Sequence, residues 1–175
     1  MKWRARVEVI VATCLCLAFS LVSRAPCQAA EQPTPAKEKV VTMHANGTFD
    51  VKLTPQAAEE GDAGLGRMSI EKQFHGDLDG TSKGFMLSSA ATVVKGSGGY
   101  VAMERVTGKL KGRTGSFVLQ HSGTMTRGTP QLIITVVPDS GTEQLSGLVG
   151  TMTIKIEEGR HSYEFEFALA VASGQ

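Results

Sequence analysis

The sequence predicts an all-β protein: an eight-stranded antiparallel β-barrel of the lipocalin-like closed kind, with a two-sheet β-sandwich as the alternative. Three observations carry that expectation. From His44 onward polar and apolar residues alternate with period 2, the pattern of half-buried strands. Short glycine-rich turns separate the alternating segments, and links this short join antiparallel neighbours, because parallel pairs need a crossover of about a dozen residues or more. No segment carries the 3.6-residue repeat of an amphipathic helix. Closure removes every free strand edge, and a nearly unbroken meander favours the barrel over the sandwich.

The strands follow in order. The first is expected at about 44–53, before Pro55 and the acidic loop Glu59-Glu60-Gly61-Asp62. The second and third are expected at 67–78 and 81–94, with Asp79-Gly80 as turn chemistry between them. Lys95-Gly96-Ser97-Gly98 turns into the fourth, 99–110, and Lys111-Gly112-Arg113-Thr114-Gly115 into the fifth, 116–126. Arg127-Gly128-Thr129-Pro130 leads to the sixth, 131–137; the seventh, 148–157, turns at Glu158-Gly159-Arg160 into the eighth, 161–171. Glycines inside strands, at Gly76, Gly84, Gly108 and Gly123, suit the bends of a curved sheet.

Residues 1–29 read as a signal peptide. Lys2, Arg4 and Arg6 make a basic start, an apolar run of 14 residues covers Val9 to Val22, and Cys27-Gln28-Ala29 places small residues before a cut. The run is short of the ~20 residues a spanning helix needs, so no stable membrane anchor is expected after processing. Cleavage after Ala29 leaves 146 residues, of which 30–43 read as a linker and 44–172 as a single barrel domain. Cys14, Cys16 and Cys27 all leave with the leader, which excludes disulfides and thiolate chemistry from the remainder. The formal charge changes from +1 to −2, and neither value argues for nucleic acid as a partner. The expected address is periplasmic or extracellular.

Sequence motifs point to little specific chemistry. No Walker loop, dinucleotide fingerprint or H-E-x-x-H motif is present, and no cofactor is expected. Gly80-Thr81-Ser82-Lys83-Gly84 fits the G-x-S-x-G pattern but sits between strands, without the strand-turn-helix elbow that exposes a nucleophile. His75, Asp77 and Asp79 alternate along one face, which Met68, Ile70 and Phe74 on the other side mark as the solvent side, and no metal site is expected there. Asn46-Gly47-Thr48 fits the glycosylation sequon.

The polar residues on inward faces matter more. Phe117, Leu119, His121 and Met125 share one face of the fifth strand, and His161, Tyr163, Phe165, Phe167 and Leu169 one face of the eighth. Lys72 falls in with Ile70 and Phe74. Glu104 points inward if Tyr100, Ala102 and Val106 do, although Val101 and Met103 compete for that role. Lys72, Glu104, His121 and Tyr163 are therefore the candidate ligand-binding residues: a cluster that orients a ligand or shifts pKa values for acid/base work. The plainer alternative places His121 and Tyr163 as satisfied barrel-end residues and Lys72 and Glu104 at a rim.

Between Gly64 and Leu169, the runs Gly76-Asp77-Leu78, Tyr100-Val101-Ala102-Met103-Glu104-Arg105-Val106-Thr107-Gly108 and Gly115-Ser116-Phe117-Val118-Leu119-Gln120-His121 resemble a bacterial family catalogued as domain of unknown function 3224. Val137-Pro138-Asp139-Ser140-Gly141-Thr142 and Leu145-Ser146-Gly147-Leu148 extend the match in order. The resemblance implies an allene-oxide-cyclase-like barrel, similar also to dirigent proteins, and implies no reaction. The expected function is an exported barrel that binds a small apolar ligand. The alternatives are a cofactor-free isomerase or cyclase, and a packed structural or interaction barrel that forms a homo-oligomer through exposed apolar positions such as Ile133 and Val137. Protein recovered from its own host and sequenced from the N-terminus should begin at Ala30; an intact Met1 would refute the processing.

Overall fold

The computed structural model describes residues 41–57, 64–89 and 93–169, all within one compact unit, Glu38–Gln175. The expected signal peptide, most of the expected linker, the acidic loop at 59–62 and the end of the last expected strand lie outside the described residues. The chain forms a closed antiparallel barrel in which each strand pairs with the next and the last returns to the first. The strands are β1 (Met43–Pro55), β2 (Gly66–Gly76), β3 (Leu78–Ser89), β4 (Gly98–Leu110), β5 (Arg113–Thr126), β6 (Thr129–Val136), β7 (Leu148–Glu157) and β8 (Arg160–Leu169). The sandwich alternative falls with that closure.

Period-2 alternation builds the wall. In β4, Ala102, Glu104 and Val106 are buried while Val101 and Met103 stay about half exposed, at 55% and 49%, so Tyr100's face turns inward. Outward positions carry Glu71, Lys83, Arg105, Lys155, Glu164 and Glu166. The apolar face is therefore the inside, the reverse of a membrane-spanning barrel. No helix among the described residues is long and apolar enough to cross a membrane.

The two ends of the barrel differ. At one end, Leu78, Leu110 and Leu148 are fully buried together with Leu145, which a short 3-10 turn at Glu143–Leu145 carries into the core. Phe117, Phe165 and Phe167 stack above them, with successive centroids 5.8 and 5.3 Å apart. This plug is absent from the strand pattern, because a single turn leaves no periodic trace.

Several boundaries differ from the expected ones: β3 ends at Ser89 rather than at 94, β5 begins at Arg113 rather than at 116, and β6 at Thr129 rather than at 131. The β2–β3 corner lies at Gly76-Asp77, and Asp79 and Gly80 belong to β3. Gly76 has φ 106°, which suits glycine. The Asp77 carboxylate accepts from the Asn46 amide at 3.0 Å and pairs with the Lys111 ammonium at 2.9 Å. Those bonds to β1 and to the β4–β5 turn hold the corner three residues earlier than local turn chemistry suggests.

β6 and β7 share a single registered pair, Thr135 with Thr151, whereas β4 and β5 register from Gly98–Met125 to Leu110–Arg113. Beyond that pair, residues 129–133 and 155–157 are exposed. The amides of 129–133 and 154–157 that face this seam should therefore exchange fast, and those of 102–108 and 116–121 slowly. Equal protection of the two regions would show a continuous ladder instead.

Candidate functional site

Four neighbouring strands bring a charged cluster to mid-height inside the barrel. Lys72 on β2 lies directly across from Ser82 on β3, and Gly84 on β3 lies across from Glu104 on β4. Ala102 in turn lies across from His121 on β5. Gly84 matters to this geometry: a Cβ there would stand 2.8 Å from the Glu104 Cα. With no side chain at that position, the Glu104 carboxylate leans across β3 and reaches both Ser82 and Lys72.

The Lys72 Nζ donates to Glu104 Oε2 at 2.7 Å, and Ser82 Oγ donates to Oε1 at 2.6 Å. The Lys72 ammonium also sits over the rings of Phe49 and Phe74, 4.9 and 5.7 Å from their centroids. His121 Nε2 is buried 3.3 Å from Glu104 Oε2, its nearest polar neighbour, without forming a well-directed hydrogen bond. The direction of the imidazole, not its distance, leaves that atom unsatisfied.

Burial is the largest single influence on Glu104, and it pushes the carboxyl upward. His121, the Lys72 charge and hydrogen bond, and the Ser82 hydroxyl together outweigh it and hold the group at about 2, against an ordinary 4.5. The carboxylate is ionised throughout the neutral range. Burial, and after it the Glu104 charge, raises the nearby Tyr100 phenol.

Of the four expected site residues, the structure brings together Lys72, Glu104 and His121. Tyr163 belongs to a different place. Its hydroxyl accepts from the Leu78 amide at 2.8 Å and lies 3.3 Å from the His75 carbonyl, which pins β8 to the β2–β3 corner. Its ring meets Phe74 edge-on, and Gly47 opposite has no room for a side chain, since a Cβ would stand 2.6 Å from the phenol oxygen. Tyr163 is a structural clasp at that corner.

Sequence reasoning missed Ser82 as a member of the cluster. The signal is present in the sequence, because Ser82 alternates with Gly80, Gly84 and Met86 on one face of β3, but the surrounding G-x-S-x-G pattern masks it. Ser82 donates to a carboxylate held at a pKa of about 2, too weak a base to activate a hydroxyl. His75, Asp77 and Asp79 do not converge either: the His75 ring meets Asp50 at 3.2 Å, while Asp77 is held by Lys111. Among the described residues no group of three His, Cys, Asp or Glu could hold a metal ion.

Above the cluster, the barrel opens into a recess of about 230 Å³. Phe49, Val51, Ile70, Leu132, Ile154 and Ile156 wall it, and Lys72, Tyr100, His121 and His161 are its polar lining. Glu104 does not reach it. A larger groove of about 720 Å³ runs over the outer wall of β7, β8 and β1, but it lies outside the barrel and collects no buried ionisable side chain apart from the engaged Tyr163. Elsewhere on the outside, Phe85 beside Met103 and Leu87 beside Val101 form an exposed apolar block, with the Arg67 guanidinium 5.6 Å over the Phe85 ring.

A family model described as protein of unknown function DUF3224 matches residues 45–167, which is nearly the whole barrel. The chain belongs to the DUF3224 family. A crystal structure of a DUF3224 protein of unknown function from Shewanella oneidensis MR-1 is 55% identical and superposes with a TM-score of 0.70, covering 75% of this chain and 100% of that one. No curated protein matches. DUF3224 membership thus accounts for the barrel and leaves the chemistry of the recess to be argued from its own residues.

Replacing Glu104 tests the cluster. A carboxyl whose pKa falls from 4.5 to about 2 on folding adds stability that is complete above the unfolded value and is lost as pH falls through the folded one. Glu104→Gln should therefore be destabilised at pH 7, and its gap from the native protein should narrow by about 2 kcal/mol between pH 7 and pH 3. A pH-independent gap in denaturant titrations would contradict an ionised, paired Glu104.

Proposed function

We propose that this protein is an exported barrel that binds one small, mainly apolar molecule in the recess at its open end. The observation that carries the reading is an apolar-walled cavity whose inner end meets buried ionisable side chains. Ligand sites have that composition: hydrocarbon walls with a few placed polar groups.

The size narrows the occupant. Drug-sized ligands occupy cavities of about 300–1,000 Å³, whereas benzene fits an apolar cavity of about 150 Å³. A recess of about 230 Å³ matches a single ring with a short substituent, or the end of a longer chain. The filled half of the barrel, from Leu78 to Leu148, accommodates nothing more.

The isomerase or cyclase alternative needs an acid or base facing the substrate. Glu104 is fully buried behind Lys72, does not line the recess, and is a weak base at a pKa of about 2. Tyr163 is engaged at the corner. Binding is therefore the reading that the residues support best. Export rests on the leader, which precedes the family match at residue 45.

Ethylbenzene serves as the probe. Saturation-transfer NMR should show it bound to the native barrel and lost in Val51→Trp, whose indole would fill the recess from β1. Undiminished binding in that variant would place the probe elsewhere, and no binding to the native protein would refute the reading.

A further inference from the structure

We infer that the ligand carries an uncharged carbonyl oxygen, held at the inner end of the recess by Lys72 and His121. The inference rests on the binding reading above and adds the chemical class of the ligand. Two observations on the polar end of the recess lead to it.

The first is unused hydrogen-bonding capacity. An ammonium has three donors, and one Lys72 N–H goes to Glu104 while the flank of the group lies over two aromatic rings. His121 has only 4% of its surface exposed, and its Nε2 is buried without a hydrogen-bond partner. A buried polar atom in that state carries a cost that a ligand atom can remove. Both side chains line the same recess. An oxygen at the inner end of the recess accepts from Lys72, and His121 Nε2, which faces Glu104 Oε2 at 3.3 Å, donates to it once the imidazole turns toward the recess.

The second is charge balance. Lys72 and Glu104 neutralise one another at 2.7 Å, so the inner end of the recess offers an anion no net positive charge. Apart from the Tyr100 hydroxyl and the His161 imidazole the walls are hydrocarbon, and an uncompensated carboxylate buried among them is costly. A ligand with no acceptor leaves the spare donors unsatisfied. A neutral acceptor on an apolar body meets both conditions, and a ketone, aldehyde or lactone of up to about one ring fits the volume.

Three probes of similar size separate the possibilities: acetophenone, ethylbenzene and benzoate. Titrations followed by NMR should show acetophenone binding at least tenfold more tightly than either of the others, the margin expected for one satisfied buried hydrogen bond. The carbonyl stretch of bound acetophenone should move to lower frequency than in hydrocarbon solvent. His121→Phe, and separately the charge-neutral pair Lys72→Met with Glu104→Gln, should erase the preference for acetophenone while ethylbenzene still binds. The infrared shift is measured on the native protein, so it decides the matter even where a variant fails to fold. Equal affinity for acetophenone and ethylbenzene, or an unshifted carbonyl band, would overturn the carbonyl inference and leave the recess reading standing. Tightest binding of benzoate would replace it with an anion site. Binding of none of the three would remove the recess reading and this inference together.

Discussion

The Glu104 carboxylate is the constraint around which the upper barrel is organised. A buried ion costs several kcal/mol unless its lone pairs are met, and a pair broken on one side is worse than no pair. Here Lys72 and Ser82 supply donors from two other strands, and His121 stands beside the same carboxylate on a third. Sliding any of β2 to β5 by one residue would turn its member of the cluster to solvent and leave the remainder uncompensated. The cluster therefore specifies register across four strands, which aliphatic side chains alone specify less sharply because one fills a gap much as another does.

That constraint also divides the barrel. Below the cluster the interior is packed hydrocarbon, closed by Leu145 and by the clasp of Tyr163 on the Leu78 amide. Above it the wall residues become progressively exposed, as Val51 and Leu53 do along β1. A volume of about 230 Å³ remains there because the charged groups occupy the level where further aromatic packing would continue the core. The same half of the barrel holds the glycine turns at Gly128 and Gly159 and the sparsely paired β6–β7 seam. Rigidity lies at one end and access at the other.

Much of this was legible from local pattern. Lys72, Glu104 and His121 could be picked out because each interrupts an apolar face, and a charged residue in phase with Phe74 or Val106 has few places to go except inward. Strand 4 was ambiguous because Val101 and Met103 are as apolar as the residues that are buried; only the wall opposite decides which face is inside. Tyr163 was in phase with the interior, but phase does not give height along the axis, and its height places it at the closed end. Ser82 was hidden because a small hydroxyl residue on a glycine-rich strand reads as a turn or a nucleophile until a carboxylate is known to lie beside it.

By itself, the sequence determined the secondary structure class, the antiparallel meander and most of the residues that face inward, strand 4 excepted, since these follow from period-2 alternation and short turns. Tertiary structure decided closure, the 3-10 plug, the corner at Gly76-Asp77 and the distances within the cluster. The physical reason is separation along the chain. Lys72, Ser82, Glu104 and His121 meet across strands, and a bond such as that between Lys72 and Glu104, 32 residues apart, is set by barrel shear and by the missing side chain at Gly84. Local pattern contains neither.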